Sequence, residues 1–252
     1  MNVSEKFGVP RLVGAVCGLE LEVEGTNLPT EVEGWHVVRD GSLRDGLEYV
    51  TRTPAGSVKL KAELEAVAAA FKDNGTRPNY SFRTSTHCHV NVSNLPLEQV
   101  KAIIYLYYLF EQQYVGFCAK NRNGNRFCLR LIDAEGILNQ VKKFFDSDRL
   151  PTNDTGKYCA LNIVPIGRQG TLEFRCLEGT DDWAKIHLWV RALIRLRKVG
   201  RELGTVKAIQ EKSIEELGEL LFNTPMLRNG FLKAGWEADV VYQQSLMLPL
   251  QG

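Results

Sequence analysis

The sequence predicts an α+β fold in which an antiparallel sheet carries helices on one face. Two observations lead to this prediction. Segments with the period-two alternation of strands are mixed with helical segments, but the two kinds do not alternate strictly along the chain. The clearest pair of strands is an antiparallel hairpin, at residues 158–177. Runs of neighbouring strands and separate helices are typical of an antiparallel sheet covered on one side.

Alternation of apolar and polar residues predicts four strands in the first part of the chain, at residues 13–24, 35–39, 47–52 and 85–93. Ser57 is a suitable N-cap for a helix over residues 58–72. A largely apolar helix is predicted at residues 96–118, with a proline in its first turn. A further helix is predicted at residues 133–145, followed by a polar loop at 147–156.

The hairpin consists of predicted strands at residues 158–165 and 170–177, joined by a four-residue turn at 167–170. An apolar stripe predicts a long helix at residues 182–203, and a shorter helix is expected at 213–222. The tail from residue 223 is expected to be irregular.

The sequence contains no repeat, low-complexity stretch or flexible linker that would mark a domain boundary. We therefore expect residues 1–252 to form one catalytic domain. Its motifs lie within residues 14–180, and residues 181–252 form a helical C-terminal part.

The composition is that of an ordinary globular protein, with 252 residues, 44% hydrophobic residues and a net charge of +1. This charge provides no general field for nucleic acid or a membrane surface, and we expect neither as a partner. No apolar run approaches the roughly 18 residues that span a bilayer, and no signal-peptide core is present. Six cysteines without a CxxC pair indicate buried thiols in a reducing compartment. We expect a soluble, cytoplasmic protein, with a homo-oligomer left open.

The first predicted strand carries three carboxylates on alternate positions. Glu20, Glu22 and Glu24 would share one face of the strand, because successive side chains of a strand point to opposite faces. Carboxylates in such a row repel one another unless a positive charge lies next to them. Taken alone, the strand is better explained as a surface strand with its charges in water.

Other predicted strands bring matching polar groups to the same face. These groups are Glu20 and Glu22, Glu48, then His87, His89 and Asn91, and finally Glu173 and Arg175. Carboxylates with an imidazole suit Mg²⁺ or Mn²⁺, and arginine side chains suit phosphate oxygens. A sheet face with both sets is a candidate site for a metal and a nucleotide such as ATP.

Each motif also has an ordinary explanation. His87 and His89 could be a zinc or copper half-site or two surface histidines. The Asp-Gly-Ser sequence at 40–42 is a common turn, and Asn-Arg-Asn-Gly-Asn-Arg at 121–126 is most simply a solvated loop. The last motif, at 171–175, could be an ordinary strand in which Glu173 and Arg175 are exposed.

The motifs nevertheless follow one another in a recognisable order. They are Gly-Leu-Glu-Leu-Glu at 18–22, Asp-Gly-Ser-Leu at 40–43, Gly-Leu-Glu-Tyr-Val at 46–50, His-Cys-His-Val-Asn-Val at 87–92, the Asn-Arg loop, Tyr-Cys-Ala-Leu-Asn at 158–162 and Thr-Leu-Glu-Phe-Arg at 171–175. Together they resemble the amidoligases of the glutamine synthetase and glutamate–cysteine ligase superfamily, a group frequent in bacteria and their phages. The resemblance covers about residues 14–180.

This resemblance implies an ATP-dependent carboxylate–amine ligase with a glutamine synthetase-like catalytic domain, whose antiparallel sheet has an open concave face. Such enzymes phosphorylate a carboxylate with ATP, and an amine then attacks the acyl phosphate to give an amide. Divalent cations, Mg²⁺ or Mn²⁺, bridge the phosphates and the protein carboxylates. The implied partners are small-molecule or peptide acids and amines.

The resemblance also implies roles for individual residues. The implied metal ligands are Glu20, Glu22, Glu48, His89 and Glu173. The implied nucleotide-binding residues are His87, Asn91, Arg126 and Arg175. Arg175 would contact the transferring phosphate, Asp40 would orient or deprotonate the amine, and Arg122 would be a further phosphate or carboxylate arginine. Either His87 or His89 could be the metal-binding histidine, and His89 is favoured.

Two features depart from the family pattern. The Glu-x-Glu motif precedes Asp-Gly-Ser here, which favours the amidoligase and glutamate–cysteine ligase branch over glutamine synthetase itself. The chain is also short, and no insert indicates which acid or amine it uses. Two other classes stay open: a metal-dependent hydrolase that uses His87 and His89, and a non-catalytic binding protein with the same fold.

Overall fold

An open, mixed-length antiparallel sheet organises the molecule. The computed structural model describes residues 1–14, 16–133, 135–151, 158–247 and 250. The strands are β1 (Cys17–Thr26), β2 (Trp35–Arg39), β3 (Gly46–Thr51), β4 (Arg77–Asn79), β5 (Ser85–Asn91), β6 (Leu161–Asn162) and β7 (Thr171–Glu178). Six follow the order β2-β3-β1-β5-β7-β6, and β4 pairs with the end of β1. All of these pairs are antiparallel, which confirms the predicted sheet type.

The helices lie before, between and after the strands. They are α1 (Val3–Phe7), α2 (Ser57–Asp73), α3 (Leu97–Leu109), α4 (Glu111–Phe117), α5 (Glu135–Ser147), α6 (Ile166–Gln169), α7 (Trp183–Leu203), α8 (Val206–Gln210), α9 (Ile214–Leu221), α10 (Pro225–Phe231) and α11 (Trp236–Leu246). Local capping explains several of their starts. Asp182 caps α7, Ser213 forms a capping box with Glu216 at α9, and Thr224 caps α10 with Pro225 in its first turn. In the described part of the chain, no helix is long and apolar enough to cross a membrane.

The apolar face of the sheet packs on the helices. Leu19, Leu21, Cys88 and Val90 are buried on this face, and α7 packs against β5, α2 and α3. The same hydrophobic core continues into the last helices, where it includes Phe231 of α10. The polar side chains of β1 and β5 are therefore left on the opposite face, as the alternation predicted.

The register of the sheet positions the polar face. Glu22 lies opposite Glu48, Glu20 lies opposite His87, and His89 lies opposite Glu173. A β-bulge shifts the register of β5 and β7 between Thr86 and Cys88. Bulges of this kind re-aim side chains next to functional sites, and this one lies beside His87.

Several predicted elements are confirmed, and others are corrected. The predicted strands before residue 95 and the helices 58–72, 133–145 and 182–203 are present, with β1 starting at Cys17 rather than at residue 13. The predicted helix 96–118 is divided at Phe110 into α3 and α4. The hairpin pairing is confirmed, but β6 is short and residues 166–169 form α6 instead of a tight turn. The prediction of an irregular tail from residue 223 was wrong, because α10 and α11 lie there.

Two further expectations concern the loop 147–156 and the openness of the polar sheet face. The predicted loop 147–156 lies partly outside the described residues. The polar sheet face is less open than expected, because Glu22, His87 and Glu173 are each less than a tenth exposed.

Candidate functional site

A cluster of carboxylates and imidazoles lies on the polar sheet face. Glu20 is at its centre, with Oε2 3.2 Å from His87 Nδ1 and Oε1 3.1 Å from His89 Nε2. Glu173 Oε1 lies 3.6 Å from His87 Nδ1 and 3.9 Å from His89 Nε2. Four side chains from three adjacent strands thus meet, although 153 residues separate the first from the last along the chain (173 − 20).

Neighbouring hydroxyl groups orient both imidazoles. Ser85 Oγ donates to Glu22 Oε2 at 2.6 Å, so its oxygen can accept from His87 Nε2 at 2.8 Å. Thr171 Oγ1 lies 3.2 Å from His89 Nδ1 and can accept there. Each ring then turns its other nitrogen towards the carboxylates, which requires either a proton or a metal ion on that nitrogen. A metal-binding histidine usually donates its other ring N–H to an acceptor, and the hydroxyl oxygens of Ser85 and Thr171 can accept here.

Among the residues that the structure describes, three groups of side chains offer ligand atoms within 4.8 Å of one another. The groups are Glu20, Glu48 and His87; Glu20, His89 and Glu173; and Glu22, Asp40 and Glu48. Glu20 and Glu48 each belong to two groups. Oxygen ligands with at most one imidazole suit Mg²⁺ and Mn²⁺, so the residues fit the expected metals. Both predicted alternatives, His87 and His89, are placed to bind one.

Charge within the cluster is strongly coupled. Burial alone would raise the pKa of Glu20, but the hydrogen bonds and charges of His87 and His89 outweigh burial and hold that pKa far below its usual range. Glu173 has a lowered pKa for a similar reason: Arg175 and the two histidines outweigh its burial. Burial lowers the pKa of His89, but Glu20 and Glu173 raise it more, so the net shift is upward. Negatively charged carboxylates and positively charged side chains therefore lie close together in the cluster, and each favours the charged form of the other.

Glu48 is the exception, because burial and the neighbouring carboxylates outweigh the opposing charge of His89. Burial, followed by the charges of Glu20, Glu22 and Asp40, raises the pKa of Glu48 to about 8. A carboxyl group that is crowded by three others can ionise readily only when positive charge arrives. This is an independent indication that the group containing Glu22, Asp40 and Glu48 is suited to a divalent cation.

The raised pKa of Glu48 predicts a pH-dependent stability of the metal-free protein. Between an unfolded value near 4.5 and the folded value of about 8, only the folded chain keeps this proton, so rising pH favours unfolding. We expect the melting temperature of the wild type, relative to Glu48→Gln, to fall between about pH 5 and about pH 8 and then to level off. Thermal melts in a chelator measure this difference, and a difference that does not change with pH would contradict the assignment.

Two arginines adjoin the cluster. Arg175 forms an ion pair with Glu173, and Arg83 Nη1 donates to the carbonyl of Ser42 at 3.1 Å. Both line a cavity of about 210 Å³, together with Glu22, Ser85, Phe127 and Tyr158. The cavity connects the cluster with the partly exposed aromatic side chains, so a molecule bound there would lie directly beside the candidate metal ligands.

Asp40 lies at the other side of the cluster. Its carboxylate accepts from Ser42 N and Ser42 Oγ, both at 2.8 Å, and belongs to one metal-ligand group. Asp40 also lines a wider cavity of about 660 Å³, with Arg39 and Arg44. The predicted amine-binding residue thus joins the cluster to a second cavity.

Three predicted site residues have other environments. Arg122 is 1% exposed, and it donates through Nε to the Cys176 carbonyl at 3.1 Å and through Nη2 to the Arg175 carbonyl at 2.8 Å. It supports the backbone of β7 rather than facing the cluster. Asn91 donates to the Leu12 carbonyl at 2.7 Å and holds the N-terminal segment. Arg126 is exposed, with its guanidinium 4.9 Å from the centre of the Phe127 ring.

Two residues of the site were missed, Arg83 and Ser85. The signal for Ser85 is the alternation that identified His87 and His89, because positions 85, 87 and 89 have one parity. Arg83 lies in the turn before β5, where alternation gives no signal. The third carboxylate of β1, Glu24, has a structural partner instead. Its Oε1 accepts from Arg44 N at 3.0 Å, and Glu24 belongs to no metal-ligand group among the described residues.

No protein-family model matches the sequence, and the search of curated proteins gave no match. Among solved structures, the chain is similar to a bifunctional glutathione synthetase from Pasteurella multocida, with 11% identity and a TM-score of 0.45 over 94% of this chain. The match covers 49% of that protein, so this chain spans about half its length. An overlap of this extent does not establish a common fold or a common activity.

Proposed function

We propose that the chain is an ATP-dependent carboxylate–amine ligase of the amidoligase type, with a glutamine synthetase-like catalytic domain and divalent metal ions in its site. The observation that carries the proposal is the set of three adjoining metal-ligand groups with Arg175 and Arg83 beside them. Arginines next to metal-binding carboxylates are suited to hold anionic phosphate and carboxylate groups together. The ordered sequence motifs supply the reaction class.

The metal-binding part of the proposal uses the three groups described above. Glu20, Glu22, Glu48, Glu173 and one or both histidines would hold Mg²⁺ or Mn²⁺. When bound, these ions neutralise the phosphate oxygens and orient them for transfer. The chain's own contribution is to fix the ligands, as Ser85 does by binding Glu22 through both its N and its Oγ.

The proposed reaction has two steps. An oxygen of the acid's carboxylate attacks the terminal phosphorus of ATP, and ADP leaves. The amine nitrogen then attacks the acyl carbon, and the C–O bond to phosphate breaks as the amide forms. Arg175, held by Glu173, faces the charge that develops on the transferred phosphate. Asp40 accepts the proton that the amine loses.

No metal-ligand group among the described residues pairs His87 with His89, as a hydrolase built on these two histidines would require. In the described part of the chain, each metal-ligand group contains a single imidazole at most. Such an enzyme would also leave Arg175 and Arg83 without a role. A non-catalytic binding protein is distinguished by experiment.

The test is nucleotide binding followed by turnover. Mg²⁺ with a non-hydrolysable ATP analogue should raise the melting temperature by about 5–10 °C at nucleotide roughly 100-fold above Kd. The same nucleotide with chelator is the control and should give a much smaller shift, because the phosphates then lack their counter-charge. ADP release with pooled acids and amines, read by mass spectrometry for the condensed product, identifies the reaction. No shift at millimolar nucleotide and Mg²⁺ would contradict the proposal, and binding without ADP release would indicate a non-catalytic protein.

A further inference from the structure

Two arginines that line the cavity of about 210 Å³ beside the cluster each have a buried, unpaired donor. The Nε atoms of Arg83 and Arg175 are buried and have no hydrogen-bond partner among the residues that the structure describes. Each guanidinium is nevertheless held in place, Arg83 by the Ser42 carbonyl and Arg175 by Glu173. Buried polar groups are normally paired, so two fixed arginines with unpaired donors on one cavity indicate a missing acceptor.

The charge of the lining favours an anionic acceptor. Of the two arginines that line it, Arg175 is already paired with Glu173, whereas Arg83 has no carboxylate partner in the described part of the chain. Glu22 is the carboxylate of the lining. Glu22 Oε2 already accepts from Ser85 N at 2.7 Å and from Ser85 Oγ at 2.6 Å, which reduces its demand for the arginines. Carboxylates are held well by guanidinium groups because the two planar groups match in geometry.

The other side of the cavity is aromatic. Phe127 stacks on Phe82 with ring centres 6.2 Å apart, and it lies 6.4 Å from Tyr158. Arg83 lies over the Phe82 ring, 5.5 Å from its centre, so Phe82 supports both Arg83 and Phe127 from outside the lining. Such surfaces bind flat, apolar groups by stacking.

The volume limits the size of the ligand. Pockets for drug-sized molecules measure about 300–1,000 Å³, and this cavity is smaller. The volume therefore matches a small acid rather than a complete nucleotide.

We propose that this cavity binds the acid substrate, a small aromatic monocarboxylic acid. Arg83 and Arg175 hold its carboxylate next to the metal ligands, and its ring lies against Phe127 and Tyr158. The role of the acid as a substrate rests on the proposed ligase function, whereas its binding in this cavity does not. Arg83 is then a binding residue of the acid, distinct in role from the metal ligands.

The test measures binding without nucleotide, so that it can succeed or fail apart from the ligase proposal. Benzoate and its uncharged analogue benzamide are titrated by calorimetry or ligand-observed NMR into the wild type, Arg83→Gln and Arg83→Lys. Arg168→Gln, an exposed arginine on α6, is the matched control. Melting curves establish that each variant is folded, and Arg83→Lys, which keeps the positive charge, provides the comparison if Arg83→Gln does not fold.

We expect benzoate to bind and benzamide to bind at least about tenfold more weakly, since the arginines require a charge. Arg83→Gln should weaken benzoate about 10–100-fold, Arg83→Lys should weaken it less, and Arg168→Gln should leave it unchanged. Equal binding of benzoate and benzamide, or no effect of either Arg83 substitution, would overturn the proposal.

Inorganic phosphate is the second probe, because a phosphate group could use the same two arginines. If phosphate binds more tightly than benzoate and with the same dependence on Arg83, the cavity is a phosphate subsite and the acid assignment is wrong. The protein could also bind benzoate in an Arg83-dependent way and yet fail to bind Mg²⁺ and ATP. That result would support the acid site and reject the ligase proposal.

Discussion

Glu22→Gln is expected to lower the rate of ADP release by more than about 100-fold while the protein stays folded. Replacing groups that merely support metal ligands typically costs about 10–100-fold in affinity or activity, and Glu22 is a proposed ligand itself. Glutamine has nearly the same shape, and its amide oxygen can still accept from Ser85 N and Ser85 Oγ. The substitution therefore removes the charge and keeps the local hydrogen bonds. Steady-state ADP release with saturating Mg²⁺, together with a melting curve, measures both effects.

Glu24→Gln is the matched control for this substitution. Glu24 is on the same strand and face and is as deeply buried as Glu22, but it binds the Arg44 backbone and no metal-ligand group among the described residues includes it. We expect near wild-type turnover and a modest loss of stability. Equal loss of activity in the two variants would show that the face needs charge in general, and it would reject Glu22 as a specific ligand.

Phe231→Ala should lower the free energy of unfolding by about 3–5 kcal/mol, because it empties a large, fully buried site. The Phe231 ring stacks on Phe117 with centres 4.4 Å apart, and it contacts Tyr114 and Phe222, both at 5.4 Å. These contacts join α10 to α4 and to the segment after α9. For a chain of this size the loss corresponds to a melting temperature lower by about 6–20 °C.

Met226→Ala is the control on the same helix. Met226 is 56% exposed, so its truncation should change stability by no more than about 0.5 kcal/mol. Urea unfolding of both variants measures the two effects. A small loss for Phe231→Ala would mean that α10 packs only loosely on the rest of the core, contrary to the structure.

The fold was predictable where the pattern is local and strong. Leu19, Leu21 and Val23 alternate with Glu20, Glu22 and Glu24, and such an alternation has one simple solution, a strand with two different faces. The apolar stripe that predicts α7 is an equally clear pattern. The division at Phe110 was not predictable, because Tyr105 to Phe110 are all apolar or aromatic and all buried, so periodicity carries no signal there.

The last helices show the opposite case. Thr224 and Pro225 are a recognisable helix start, but the helix they begin has seven residues, and such short helices are stable only through tertiary packing. Phe231 supplies that packing through partners that lie far away in the chain. A reading of local propensity alone therefore left this region without structure.

The candidate site divides in the same way. Alternation identified the side chains that share the polar face, including Glu20, Glu22, His87 and Glu173. It could not assign Arg122, because a loop arginine has no periodicity, and its guanidinium instead holds the carbonyls of Arg175 and Cys176. Asn91 has the right parity, but its partner is the carbonyl of Leu12, which only folding brings near.

Side-chain alternation and composition were thus enough to establish the α+β class, the strands of the site and the face on which Glu20, Glu22 and His87 lie, because these depend on the geometry of a single strand. The pairing of Glu22 with Glu48, the orientation of His87 by Ser85, and the cavity that brings Arg83 to Phe127 depend on contacts between distant segments. Register and loop packing arise from the burial of the whole core, and no local pattern specifies them.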